Sequence, residues 1–293
     1  MPTRKAPAPS GIRLNGGTAS VLSLLRAWHP EVQVQRLQRL PGGVSATVTA
    51  CEVVLGQGPA RRVVVRQGPG TSAQQAALLR RLWAAGLPVP EPLYQAPGGM
   101  ITAFVEGRSG TEAGADPVQL AAFLARLQAL PPVDWPLAPL GEVPAAGPQL
   151  DDSLSEGRLR AALVTVPRPV GKTTLLHGDL WPGNTLWHAG QLSAVIDWED
   201  AALGHPLADV GNTRLELLFF QGEEAMDAFT QTYTALSGQA LTDLPYWDLR
   251  VALRPCGRLH TWGLPAALEQ QLRERHRTFT EAALRSFAVS LPG

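Results

Sequence analysis

The chain changes its local pattern near residue 107, and this change limits the folds that it can adopt. Before that point, short β-branched and alternating apolar runs are separated by Gly and Pro turns, which predicts antiparallel strands. Residues 71–86 interrupt them with a predicted helix that Thr71 or Ser72 can cap. Its apolar face is predicted to contain Leu78, Leu79, Leu82 and Trp83. After Gly107 amphipathic helical patterns predominate. We therefore predict an α+β fold with a small antiparallel β-rich N-lobe and a larger, mainly helical C-lobe.

The expected parts of the chain are a flexible tail over residues 1–17, an N-terminal lobe over 18–106 and a C-terminal lobe over 107–293. The tail is predicted from its Pro, Gly and basic residues. Within the C-terminal lobe, residues 131–149 are rich in proline and predict an irregular loop. A long last helix is expected from Ala266.

Bulk composition excludes several classes of partner. The formal net charge is zero, so no overall field favours nucleic acid or an anionic membrane surface. No apolar run approaches the roughly 18 residues needed to cross a bilayer, and the N-terminus lacks the apolar core of a secretion signal. Cys51 and Cys256 are far apart in sequence, which favours two reduced thiols in a cytoplasmic protein. Oligomeric state cannot be read from the sequence.

Residues 169–184, PVGKTTLLHGDLWPGN, contain two competing phosphate-binding patterns, and the first one fails. Gly171-Lys172-Thr173 resembles the end of a P-loop, but the glycine required five residues earlier is replaced by Val166. Pro167 and Pro169 lack the backbone N–H groups with which such a loop surrounds phosphate. A strand, TTLLH, is expected to follow in place of a helix.

The second pattern places three polar side chains near one another. Asp179 follows that short strand, a turn at 181–183 leads to Asn184, and Asp197 ends the next apolar run. A hairpin turn is expected at 188–191. Because the midpoint between Asn184 and Asp197 falls inside this turn, we predict that these two residues lie side by side at the open end of the hairpin. Asp179 is one tight turn away.

Such a trio suits phosphoryl transfer. Mg²⁺ prefers hard oxygen ligands and takes few carboxylates from the protein, so Asp197 with the Asn184 carbonyl predicts a magnesium site. Asp179 can accept the proton of an attacking hydroxyl, a role that contributes about 10²–10⁴ in rate. The alternative is that Asp179 and Asn184 only shape a turn and that Asp197 ends a strand. Each residue alone would favour that alternative, whereas their joint spacing favours a site.

The segments HGDLWPGN and VIDWEDAALGHPLADVGN resemble the aminoglycoside phosphotransferase family, a branch of the protein-kinase-like fold. The matching residues are His177, Gly178, Asp179, Asn184, Ile196, Asp197, Trp198, Gly204, Pro206 and Asp209. The resemblance implies a two-lobe kinase-like fold and an enzyme that phosphorylates a hydroxyl of a small molecule. It implies that Asp179 is the base and that Asn184 and Asp197 hold Mg²⁺. It further implies that Asp209 starts a helix and braces the loop, and that His177 is a packed scaffold residue.

The small lobe departs from the kinase-like pattern. Its third strand carries Arg66 where a lysine is usual, and Gln75 stands where a helix glutamate would pair with it. Arginine can form bidentate contacts with phosphate oxygens, so Arg66 is a candidate nucleotide ligand. The alternative is a surface arginine at the end of an edge strand. Gly42, Gly43 and Ser45 resemble a loop that covers phosphates, although two glycines between strands usually only turn the chain.

The donor is expected to be ATP or GTP, and the sequence does not choose between them. Phe104, Val105 and Glu106 occupy the hinge between the lobes and are candidates for backbone hydrogen bonds to a purine.

The acceptor is left open by two conflicting patterns. A helix around residue 250 is predicted to align Arg250, Arg254 and Arg258 in one basic stripe, which would disfavour polycationic acceptors. The alternative is a solvated face that pairs with acids elsewhere. Glu199 and Asp200 would instead attract a cation.

Two other function classes compete with a small-molecule kinase. A non-catalytic nucleotide-binding protein is suggested by the missing lysine and by Gln75. A metal-dependent hydrolase would use His177 and Asp179, but no third residue stands at a zinc-ligand spacing from His177 and His188.

Overall fold

The computed structural model describes residues 16–40, 46–68, 72–131, 135, 137–143, 145–165 and 167–290, with side chains described from 20 to 287 within these ranges. The chain divides into two compact units. The first contains the residues up to 76 together with 91–104, and the second contains 77–90 together with the residues from 105 onward. The lobe bounds expected from the sequence stay predictions.

The first unit is a five-stranded antiparallel sheet packed on one helix, as the sequence predicts. Helix α1 (Gly16–Trp28) is followed by β1 (Val32–Arg39), β2 (Thr47–Leu55), β3 (Ala60–Gln67), β4 (Pro92–Ala96) and β5 (Gly99–Ala103). The strand order is β1-β2-β3-β5-β4. Leu25, Val53, Val63 and Ile101 are fully buried and form the centre of its core, because alternate strand residues face the helix.

Strand β3 is the central strand, so the alternative that placed Arg66 on an edge strand is wrong. Arg66 lies opposite Val48 on β2 and opposite Met100 on β5. Its side chain is half-buried. Strand β3 is central because β2 pairs with one of its edges and β5, which comes after helix α2 (Ala73–Ala84) and β4 in the chain, pairs with the other.

Helix α2 (Ala73–Ala84) begins where the sequence predicts. The Ser72 hydroxyl accepts a hydrogen bond from the Gln75 backbone N–H at 3.2 Å and caps the helix. Leu78, Leu79 and Leu82 are buried, which confirms most of the predicted apolar face, whereas Trp83, expected on the same face, is 48% exposed. Gln75 lies on the side of the same helix and is half-buried.

The second unit is mainly helical. Its helices are α3 (Gly110–Ala113), α4 (Pro117–Ala129), α5 (Glu156–Leu163), α6 (Leu207–Gln221), α7 (Glu223–Ser237), α8 (Leu244–Ala252) and α9 (Ala266–Ser290). Its strands are β6 (Arg108–Ser109), β7 (Thr174–Leu176), β8 (Thr185–His188), β9 (Gln191–Val195) and β10 (Ala202–Gly204). Strands β6, β8 and β9 form one antiparallel sheet, and β7 pairs with β10. Within the described residues, the search for a helix suited to cross a lipid bilayer finds none.

Helix α6 is the centre of this unit. It contacts α7, α8 and α9, and most of its residues are buried. A helix that is covered on several sides must be apolar around most of its circumference, which its sequence LADVGNTRLELLFFQ satisfies. Four of its polar residues, Asp209, Asn212, Thr213 and Glu216, are therefore buried as well.

The basic stripe predicted around residue 250 is wrong. Helix α8 ends at Ala252, so Arg254 and Arg258 lie in the turns that follow it. Arg250 donates to the Gly141 carbonyl oxygen at 2.5 Å, whereas Arg254 reaches the loop that carries Asp179. Pro255 directly after Arg254 is incompatible with continued helix, because it disfavours the helical conformation at the residue before it.

Residues 171–173 run irregularly into strand β7, and the chain enters a strand where a P-loop needs a helix. The structure therefore agrees with the rejection of the P-loop pattern.

Candidate functional site

The loop that carries Asp179 begins directly after β7 and is fixed by a carboxylate from α6. The Asp209 oxygens accept hydrogen bonds from the backbone N–H groups of His177, at 2.6 Å, and Gly178, at 2.9 Å. Gly178 has φ +83°, and a Cβ there would lie 2.1 Å from the Asp200 carbonyl oxygen, so only glycine fits. The bracing role that the resemblance implied for Asp209 is confirmed.

His177 is completely buried and has both ring nitrogens occupied. Its Nδ1 accepts from the Asp179 N–H at 3.2 Å, which leaves Nε2 to donate to the Ile196 carbonyl oxygen at 3.0 Å. Burial lowers the pKa of His177 and keeps the ring neutral. The ring links the loop to the end of β9, so His177 acts as a scaffold residue and has no nitrogen left for a metal ion.

Asp179 and Asn184 are in direct contact, as the sequence predicts. The Asn184 amide nitrogen donates to the Asp179 carbonyl oxygen at 2.9 Å and to its carboxylate Oδ2 at 3.1 Å. The intervening residues close through a short 3₁₀ helix, Pro182–Asn184. Both contacts use the amide nitrogen of Asn184, so neither occupies the amide oxygen, which is an atom type that can coordinate a cation.

Asp197 lies next to this pair, but the predicted register of the hairpin is wrong by one residue. Strands β8 and β9 pair Thr185 with Val195, and the Ile196 N–H donates to the Asn184 carbonyl oxygen at 2.9 Å. Asn184 therefore lies opposite Ile196. The hairpin turn is centred between Ala189 and Gly190, and one register shift between Leu186 and Trp187 moves the pairing centre only to Gly190, half a residue short of the predicted midpoint.

The backbone of Asp197 has φ +65°, in the left-handed region that aspartate tolerates better than most residues. This conformation turns the chain immediately after β9. The His177 ring interacts electrostatically with both Asp179 and Asp197, so the two carboxylates lie near the same buried ring.

Helix α6 also holds the far side of the loop. The Leu180 carbonyl oxygen accepts from Asn212 Nδ2 and from Thr213 Oγ1, each at 3.1 Å. Asp209, Asn212 and Thr213 are all buried. The position of Asp179 is thus set by a helix about 30 residues later in sequence.

Three carboxyls lie near the loop, Asp209 and Glu216 buried and Asp200 largely exposed, and desolvation acts on each of them. Burial raises the pKa of Glu216 to about 8, and the neighbouring Asp179 charge adds to the effect. Burial raises the pKa of Asp209 to about 6, although the two hydrogen bonds that Asp209 accepts from backbone N–H groups lower it. Desolvation also raises the pKa of Asp200. The site is therefore rich in acid but not fully ionised near neutral pH.

Arg254 is the cation of this cluster. Its Nη2 lies 2.7 Å from Asp179 Oδ1, and its Nη1 donates to the Gly178 carbonyl oxygen at 3.2 Å and to Asn212 Oδ1. The positive charge opposes the raised pKa of Asp200, Asp209 and Glu216.

The predicted nucleotide-binding residues are only partly described. Gly42, Gly43 and Ser45 lie outside the described residues. Arg66 lies near the end of β3, and the Phe104 N–H already donates to the Arg62 carbonyl oxygen at 3.2 Å, so Phe104 can offer a purine only its carbonyl. Val105 and Glu106 follow it in the chain.

Sequence reasoning missed three residues of this site. Asn212 and Thr213 fix Leu180, and Glu216 is buried beside the cluster. The signal for Glu216 was present, because a single carboxylate inside the apolar run LELLFF of a helix predicts a buried acid. The contact of Arg254 with Asp179 had no local signal.

The chain matches a known protein family, although it matches no curated protein. The model of the phosphotransferase enzyme family (APH) matches residues 36–285. Comparison with curated proteins gives no significant match.

Three similar solved structures illustrate the range of proteins that share the fold. The amicoumacin kinase hAmiN with AMP-PNP, Ca²⁺ and Ami has 15% identity and TM-score 0.62, covering 90% of this chain and 93% of that one. The GDP and kanamycin complex of APH(2")-IIia has 20% identity and TM-score 0.62, covering 92% and 98%. A choline/ethanolamine kinase family protein from Mesorhizobium loti has 18% identity and TM-score 0.57, covering 87% and 92%. These structures show that the chain has the kinase-like fold of this family.

Proposed function

Because this chain belongs to the phosphotransferase enzyme family, we propose that it transfers the terminal phosphate of a nucleoside triphosphate to a hydroxyl of a small molecule. The observation that carries the proposal is the contact between Asp179 and Asn184 on a loop that Asp209 fixes by two hydrogen bonds. A loop held so firmly suits catalysis by positioning, on which phosphoryl transfer largely depends.

Asp179 is the proposed base. Its carboxylate accepts hydrogen bonds from Asn184 and Arg254, one on each oxygen, which fixes its orientation. Each carboxylate oxygen has a further lone pair, so Asp179 can still accept the proton of an attacking hydroxyl. His177 donates nothing to this carboxylate, because both of its ring nitrogens are used by the scaffold.

Asn184 and Asp197 are the proposed ligands of Mg²⁺. The donor set fits a hard cation, since it offers one amide oxygen and one carboxylate close to a rigid loop. Bound there, Mg²⁺ would neutralise charge on the phosphate oxygens of the nucleotide. A test independent of turnover is Mn²⁺ binding with nucleotide, followed by electron paramagnetic resonance, in Asp197→Asn and in the surface control Asp227→Asn. Equal Mn²⁺ affinity in both would contradict the assignment.

The donor nucleotide is proposed to be ATP or GTP. Related structures carry AMP-PNP in one case and GDP in another, so the family supports both. On the first unit, Arg66 is proposed to bind nucleotide phosphate together with Gly42, Gly43 and Ser45, and the backbone of 104–106 to hold the purine. Arg66→Ala should raise KM for the nucleotide and leave KM for the acceptor nearly unchanged.

The decisive experiment is a phosphorylation screen with Mg·ATP and Mg·GTP over a panel of hydroxyl compounds. We expect Asp179→Asn to lose about 10²–10⁴ in kcat while it keeps nucleotide binding. The exposed Asp227→Asn on α7 is the matched control. Full activity of Asp179→Asn would refute the assigned base. Nucleotide binding without turnover of any acceptor would favour a non-catalytic kinase-like protein. We propose a cytoplasmic location, which the free thiols of Cys51 and Cys256 support.

A further inference from the structure

Arg254 makes a contact with the proposed base that suggests what kind of acceptor the site takes. This inference rests on the proposed function. Helix α8 ends at Ala252, and Arg254 follows in a turn between the buried residues Leu253 and Pro255. This turn directs the side chain to the loop of Asp179, with which it forms an ion pair of 2.7 Å.

The guanidinium group is held in place on one side and exposed on the other. Gly178 and Asn212 each accept a hydrogen bond from Nη1, and Asp179 accepts one from Nη2. Among the described residues, these contacts leave the Nε–H and one Nη2–H of the five guanidinium N–H groups. The side chain is 40% exposed, so a ligand can reach them.

The two carboxylate oxygens of Asp179 have different partners, and these partners distinguish two sides of the proposed base. Oδ2 accepts from Asn184, which we propose as a metal ligand, so the donor phosphate with its metal ion would lie on that side of Asp179. Oδ1 accepts from Arg254. The attacking hydroxyl must approach Asp179 from the side opposite to the leaving nucleotide in an in-line transfer. Arg254 therefore lies on the acceptor side of the base.

Arg254 is paired with Asp179, and the two buried acids on α6 compete little for its remaining N–H groups at neutral pH. Burial raises the pKa of Glu216 to about 8, so Glu216 is mainly uncharged at pH 7. Asp209 is engaged with the two backbone N–H groups of the loop. An ammonium group on the acceptor would face a like charge on Arg254, whereas an anion would find a two-pronged donor.

We propose that Arg254 binds an anionic group of the acceptor, a carboxylate or a phosphate ester, and so selects anionic hydroxyl compounds over polycations. The anion would lie against the Nε–H and the Nη2–H of Arg254, and its hydroxyl would lie against Asp179. Arg254 is then a specificity-determining residue of the acceptor site.

The test uses polyols that differ only in the charge of one end group. D-gluconate, D-glucitol and D-glucamine form one series. Glycerate, glycerol and 3-aminopropane-1,2-diol form a second series, and glycerol 3-phosphate distinguishes a phosphate from a carboxylate. Phosphate transfer from Mg·ATP and Mg·GTP is measured for each compound, and binding without nucleotide is measured by calorimetry.

We expect the wild-type chain to prefer the anionic member of a series. In Arg254→Gln the ratio of kcat/KM for the anionic member to that for the neutral member should fall about tenfold to a hundredfold, mainly through KM. Arg254→Lys keeps the charge but loses the forked geometry, so its ratio should be intermediate. Arg258→Gln removes an exposed arginine of the same segment and should leave the ratio unchanged. Thermal unfolding of each variant shows whether it is folded.

The outcomes separate the two claims. Phosphate transfer without any preference for the anionic member overturns the inference and leaves the proposed function standing. The same holds if Arg254→Gln lowers kcat/KM equally for all members of a series. Binding of an anion that depends on Arg254, without transfer to any acceptor, supports the inference and counts against the proposed function. Absence of any preference in both assays overturns the inference.

Discussion

Asp209 and Glu216 are two buried carboxyls on the same helix, and they differ in what surrounds them. Asp209, at the start of α6, accepts two hydrogen bonds from the backbone of the loop. Glu216, two turns later, accepts no hydrogen bond from the described residues. Burial raises the pKa of Asp209 to about 6 and that of Glu216 to about 8. The difference teaches that backbone N–H groups can offset part of the cost of burying a carboxylate.

The comparison also separates two uses of a buried acid. Asp209 stabilises the shape of the loop because it is the acceptor for N–H groups that would otherwise be unpaired. Glu216 contributes no such bond and remains mainly protonated at neutral pH. Three substitutions test this distinction, in order of decreasing effect.

The largest effect is expected for Asp209→Ala. It leaves the buried N–H groups of His177 and Gly178 without an acceptor, and we expect a loss of roughly 2–5 kcal/mol in the free energy of unfolding, measured by urea denaturation. The exposed Asp227→Ala on α7 is the control and should change little. A stability equal to that of the control would show that Asp209 does not brace the loop.

An intermediate and pH-dependent effect is expected for Glu216→Gln. The raised pKa means that the folded state binds more protons at Glu216 than the unfolded state between about pH 4.5 and pH 8. The stability that Glu216 contributes is thus complete below the unfolded value and is lost as pH rises through about 8, by at most about 1.4 kcal/mol per pH unit. The glutamine variant lacks this loss, so its Tm relative to wild type should increase from pH 5 to pH 9.

Burial also raises the pKa of Asp209 and of Asp248 on α8 to about 6. Both groups titrate in wild type and variant alike, so their contribution cancels in that difference of Tm. A constant difference across the pH range would contradict the raised pKa of Glu216.

The smallest effect is expected for Thr213→Val. The Leu180 carbonyl oxygen loses the hydroxyl donor but keeps Asn212 Nδ2, so the cost should be about 0.5–1.5 kcal/mol by urea denaturation. Asn212→Ala removes a donor and also a partner of Arg254, and should cost more. If Thr213→Val cost as much as Asp209→Ala, the loop would depend on Leu180 as strongly as on the N–H groups of His177 and Gly178.

Local patterns predicted much of the fold. The cap at Ser72, the apolar face of α2, the hairpin after Asn184 and the start of the last helix at Ala266 all follow from short-range rules, and the structure confirms them. Two predictions failed because the bounds of an element differ from those expected. The turn after β8 is centred nearer to Asn184 than the midpoint required, which places Asn184 opposite Ile196, and the end of α8 at Ala252 separated the arginines.

What the sequence determined by itself is the chemistry-bearing segment: the order of Asp179, Asn184 and Asp197 along a strand, a turn and a hairpin, where contacts are local. Tertiary structure decided which distant groups contact this segment, and of these only Asp209 was indicated beforehand, by the family resemblance and not by spacing. Asp209 reaches the loop from 30 or more residues away, and Arg254 reaches Asp179 from 75 away. Such contacts depend on how helices pack against the loop, and sequence spacing carries no information about that packing.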